Sequence, residues 1–86
     1  MFQATEIKRL IEESMPGSLA VILDEAQDGE HFEGEVMSPT FAGISLIKQH
    51  QAVYAALGPR MGREIHALAL KTYTPEAWAK AGKEPR

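Results

Sequence analysis

Apolar residues recur along this chain at two different periods, and the switches between them mark its elements. Ile7, Leu10, Ile11 and Met15 are spaced three to four apart, the signature of one buried helix stripe, with Thr5 as the expected cap and Pro16-Gly17 as the stop. From Ser18 to Asp24 the run Leu-Ala-Val-Ile-Leu is short, apolar and partly β-branched, which predicts a first strand. Asp28-Gly29 predicts a turn. Between His31 and Met37 the pattern alternates, placing Phe32, Gly34 and Val36 on one face of a returning strand and His31, Glu33 and Glu35 on a face toward solvent.

Beyond Ser38-Pro39-Thr40, the segment Phe41-Ala42-Gly43 leads into a long helix carrying Ile44, Ile47, Val53, Tyr54 and Leu57, which Gly58-Pro59 breaks. A helical turn around Arg60 to Glu64 and a third strand from Ile65 to Thr72 follow. Thr74 then caps a last helix over 76–81, where Pro75 suits the first helical position and Trp78 is the anchor. The order α-β-β-α-α-β-α implies an α+β domain in which helices cover one face of a three-stranded mixed sheet. That domain is expected over residues 1–81, with 82–86 as a flexible tail.

Composition narrows the function classes. The 86 residues are 44% hydrophobic and 24% charged, the balance of a folded soluble domain rather than a disordered chain. There is no cysteine, so no disulfide can staple the fold, and a reducing, cytoplasmic setting is the expectation. No apolar run reaches the roughly 20 residues needed to span a bilayer. The net charge of −3 hides a polarity: residues 1–43 hold two basic and nine acidic side chains, whereas residues 44–86 hold seven and three. Any basic surface therefore belongs to the second half.

The chemistry available is sparse. There is no nucleophile elbow, phosphate-binding loop or dinucleotide fingerprint, and the carboxylates at 30, 33 and 35 fall on alternate strand positions that suit a solvated face, so an enzyme is not expected. Of the three histidines, His50 lies beside the apolar stripe of the long helix and reads as structural. His66 shares its strand parity with Leu68 and Leu70, and either a core-edge role or ligation suits it. His31 stands on the polar face near a turn, as a loop histidine or a ligand. Two histidines without a thiolate cannot close a soft-metal site alone, although two imidazoles can replace two thiolates on one iron of an iron–sulfur cluster.

Phe41-Ala-Gly-Ile-Ser-Leu-Ile-Lys-Gln-His50-Gln-Ala-Val-Tyr54, then Ile65-His66-Ala67-Leu68, then Thr74-Pro75-Glu76-Ala77-Trp78 resemble, in order and spacing, the BolA family and within it the bacterial YrbA/IbaG branch. Asp28-Gly-Glu-His31-Phe32 extends the likeness through the hairpin, while Gln49 departs from the arginine many members carry before the histidine. The resemblance implies a fold like a class II KH domain. It also implies partnership with a monothiol glutaredoxin and a 2Fe-2S cluster bridged between the two proteins, with thiolates from the glutaredoxin and its glutathione. By position, His66 matches the family's cluster-ligating histidine and His31 its variable-loop ligand. A role in stress or acid response is a further expectation of this kind, while the sequence leaves open whether the free protein forms a homodimer. The alternative is a KH-like nucleic-acid-binding regulator, for which Lys48, Arg60, Arg63 and Lys71 are the candidate contacts. Its nearest clamp, Gly58-Pro-Arg-Met-Gly62, is one residue longer than Gly-x-x-Gly.

Overall fold

The computed structural model describes residues 3–24, 27, 31–62, 65 and 67–83. Helix α1, Ala4–Ser14, buries Ile7 and Ile11 completely, as the spacing predicts. Its start differs from expectation: Gln3 occupies the cap without a side-chain bond and Thr5 is exposed inside the first turn. Strands β1, Leu19–Leu23, and β2, His31–Met37, pair antiparallel with Ala20 opposite Val36 and Ile22 opposite Gly34. The expected Asp28-Gly29 turn lies outside the described residues.

After β2, Ser38 is wholly buried, and its hydroxyl accepts the Thr40 amide to start a single-turn 3-10 helix, Pro39–Phe41. Ser45 caps helix α2, Leu46–Leu57, by accepting the Lys48 amide. Only Val53 and Leu57 of the expected apolar stripe are buried in α2; Ile44 lies ahead of the helix, and Ile44, Ile47 and Tyr54 are all exposed. The predicted turn over 60–64 begins earlier, as a 3-10 helix at Gly58–Arg60. Strand β3 is Ala67–Tyr73; Ile65, predicted to open it, is instead fully buried in an isolated bridge with Met61.

Strand β3 runs parallel to β2, so the sheet is mixed, in the order β1-β2-β3, with both outer strands at edges. Alternation sends Ala20, Phe32, Val36 and Leu68 inward, where they meet Ile7 and Ile11 of α1, Phe41, and Val53 and Leu57 of α2 in one core. Gly34 sits at the middle of the central strand because the inward space is already taken. A Cβ there would lie 3.0 Å from the Ile22 side chain and 3.3 Å from that of Leu68.

Helix α3, Pro75–Lys80, is capped by the Thr74 hydroxyl on the Ala77 amide, as its sequence predicts. Buried Trp78 meets Tyr73 edge to face at 5.2 Å between ring centres. Gly82, at φ 77°, donates to Ala79 O while Lys83 donates to Trp78 O, a paired closure that satisfies the last carbonyls of the helix. Gly82 and Lys83, expected in a loose tail, thus complete α3. The Lys83 ammonium also bonds Glu35 at 2.8 Å and lies 5.6 Å from the rings of both Tyr73 and Trp78.

Candidate functional site

Parallel pairing of β2 with β3 sets the surroundings of His31. His31 opens β2 on its exposed face, and its register partner is Ala67, the residue that follows His66 in sequence. His66 itself lies outside the described residues, as does Arg63. Among the described residues no three metal-ligating side chains converge. His31 is thus an exposed side chain at the first position of a strand.

His50 keeps to the seam between α2 and β3. It is half-buried, and its Nε2 is screened from solvent without a hydrogen-bond partner among the described residues. Its neighbour Gln49 does more than the sequence suggests. The Gln49 amide donates to Phe41 O at 3.2 Å and Ile44 O at 3.0 Å, and its oxygen accepts the Thr72 hydroxyl at 2.6 Å. One side chain so ties the approach to α2 onto β3. An arginine here would keep donors for the two carbonyls but offer Thr72 no acceptor.

The described basic candidates come from three elements: Lys48 from α2, Arg60 from the 3-10 turn after it and Lys71 from β3. Lys48 is exposed in the first turn of α2, whereas Arg60 follows its C-terminus, a helix of about 18 Å away at 1.5 Å per residue. Arg60 faces α1: Glu6 is held below its ordinary carboxylate value first by the hydrogen bond from Arg9 and, in smaller part, by the charge of Arg60. Lys71 belongs to β3 and borders two hollows. One, of about 370 Å³, opens on the sheet face away from α1 and α2, between Val21, Leu23, Glu33 and Glu35. The other, of about 280 Å³, is the groove between α2 and β3. The Gly58–Gly62 segment is closed on itself: the Met61 amide donates to Gly58 O and the Gly62 amide to Ile65 O at 2.8 Å. Those two amides are not available to clamp a phosphate.

Comparison with known proteins agrees with this architecture. A family model for BolA-like proteins matches residues 6–77. The chain is 32% identical to the DNA-binding transcriptional regulator BolA of Vibrio cholerae over 98% of its own length and 85% of that protein. It is 39% identical to the acid stress protein IbaG of Escherichia coli K12 over 65% of this chain and 68% of that one. Among solved structures, a BolA homologue from Coxiella burnetii superimposes with a TM-score of 0.81, at 41% identity, covering 92% of this chain and 99% of the other. With the order of its elements, the mixed sheet and the matched sequence all in accord, the chain belongs to the BolA-like family.

Proposed function

We propose that this chain is a non-enzymatic adaptor that binds a monothiol glutaredoxin and shares a bridging 2Fe-2S cluster with it, contributing His66 and His31 as ligands. The supporting observation is the register: exposed His31 pairs with Ala67, so the strand carrying one candidate ligand abuts the segment carrying the other. The donor set fits, because a chain with no cysteine can offer only imidazoles to such a cluster and two imidazoles can serve one iron. The thiolates come from the glutaredoxin and its glutathione. The cluster, when bound, would supply the redox chemistry; this chain would supply His31, exposed on a strand whose register partner, Ala67, follows His66 in sequence. Iron–sulfur trafficking or iron-dependent regulation is the use that follows.

The test is the ultraviolet-visible and circular dichroism spectrum of the protein mixed anaerobically with a monothiol glutaredoxin, glutathione, iron and sulfide, against glutaredoxin alone. A new spectrum that is lost in His66→Ala and altered in His31→Ala is the expected result. A spectrum indifferent to the double variant would sink the assignment. The name of the Vibrio cholerae relative favours a second reading, DNA binding. It requires an affinity that falls steeply with salt, measured by titration with duplex and single-stranded DNA.

A further inference from the structure

We propose that the free edge of β3, together with the exposed face of α2 beside it, receives an extended acidic segment of a partner protein by strand addition. The backbone supplies the first half of the case. The Tyr54 hydroxyl donates to Leu68 O, and Tyr73 O accepts the Ser38 amide from the β2 side. Because backbone groups alternate direction along a strand, Leu68, Leu70 and Thr72 turn their N–H and C=O away from β2. Among the described residues no strand pairs on that side, and nothing bonds the backbone of Leu70 or Thr72 there. These are open rungs for another strand.

The side chains supply the second half. Leu46 and Ile47, in the first turn of α2, are 62% and 71% exposed, the highest values among the large apolar residues that are described. Leu46 and His50, one turn apart, wall the groove of about 280 Å³ whose other wall is β3. A strand added to β3 would lay alternate side chains on this apolar shelf, which is how such peptides gain specificity.

Charge selects the occupant. Among the described residues Lys71 is the charged side chain lining the groove, and Lys48 is exposed in the first turn of the helix that forms its other wall. Two copies meeting edge to edge would oppose two such sets of lysines, whereas an acidic segment complements one. A single nucleic-acid strand is also anionic, but it needs aromatic faces for its bases. In this groove the Tyr73 ring is already engaged, edge to face with Trp78 and 5.6 Å from the Lys83 ammonium, and His50 Nε2 is screened from solvent, so what the groove offers is Leu46, Leu70 and an unpaired strand edge. The inference stands on this edge alone and does not require a shared cluster.

The experiment is an NMR titration of the isotopically labelled protein with a synthetic peptide matching the seven residues of β3 in length, alternating valine and serine between terminal aspartates. Shifts confined to β3 and the first turns of α2, slowed exchange of the Leu70 and Thr72 amides, and affinity cut about tenfold by Lys71→Glu and likewise by Ile47→Asp are expected. Both substitutions are at exposed positions, and unchanged circular dichroism shows that the variants remain folded. Shifts elsewhere, or equal binding of a lysine-flanked peptide, would overturn the proposal. So would concentration-dependent shifts at this edge without peptide, which would make the occupant a second copy, or displacement of the peptide by oligothymidylate at matched charge, which would make it a nucleic acid.

Discussion

The two edges of the sheet are treated differently. At β1 one rung of the edge is blocked from within the chain: Lys8 donates to Ala20 O at 2.9 Å, Glu12 accepts the Ala20 amide at 2.9 Å, and the two side chains pair with each other at 2.6 Å, while Ile22, of the same parity, has no backbone bond on that side among the described residues. At Ala20 an ion pair on α1 thus takes the place of a neighbouring strand. At β3 the corresponding helix, α2, contributes the Tyr54 hydroxyl to Leu68 and then turns aliphatic residues to solvent. Exposed strand edges invite unwanted pairing, and proteins commonly block them with charge. Among the described residues, then, a charged pair guards the centre of one edge, whereas an aliphatic shelf borders the other.

The largest expected effect should fall on both edges alike. Phe41→Ala removes a fully buried ring from the shared core and is expected to cost about 3–5 kcal/mol, read as a lowered urea midpoint with both edges lost in one transition. Glu12→Ala separates the edges. It leaves the Ala20 amide without its acceptor, at a cost of about 1–3 kcal/mol, and should speed exchange at Ala20 while sparing Leu70. Acid offers the same cut without mutation. Burial raises Glu12, but Lys8 and the Ala20 amide together outweigh it and hold the group below its ordinary value of 4.5. Its contribution is therefore fully present above that value and is lost as pH falls through the depressed folded one. The gap in urea midpoint between wild type and Glu12→Ala should close over that acid range; a constant gap would show that the carboxylate charge is immaterial.

On the β3 side the effects are smaller. Gln49→Arg keeps donors for the Phe41 and Ile44 carbonyls and strands the Thr72 hydroxyl, so a loss of about 1 kcal/mol is expected, and Gln49→Ala should cost more. Ile47→Ser should change stability by no more than about 0.5 kcal/mol, because the side chain is already in water. A large loss there would mean that the α2 face is part of the folded core and would erase the contrast between the edges.

The same asymmetry explains what could be read from the sequence. The alternation from His31 to Met37 sorts Phe32, Gly34 and Val36 to the core, and Thr74-Pro75 starts α3, because strand parity and capping are local signals. Helical spacing in α2 is also local, but it reports only that Ile47 and Tyr54 are apolar and near Val53. Whether that flank meets a core or a groove depends on β3, some twenty residues away in sequence, and periodicity carries no such information. Gln49 was visible as a departure from the family pattern, yet its bond to Thr72 required the parallel register. Lys83 looked like the start of a loose tail because its partners, Glu35, Tyr73 and Trp78, are distant in sequence. Both histidines proposed as ligands were named from the sequence; the structure adds the pairing of His31 with Ala67.

Parallel pairing of β2 and β3 has a consequence for when the molecule becomes competent. Antiparallel β1 and β2 are consecutive, whereas β3 cannot join until the connection through Phe41 and α2 has crossed the sheet. Non-local pairings of this kind form late, since the chain must close a long loop before any contact compensates for it. The edge beside α2 and the junction of His31 with Ala67 both require β3, so neither exists before that strand has paired. An emerging chain on the ribosome would present neither, so a partner that reads this edge samples only finished molecules.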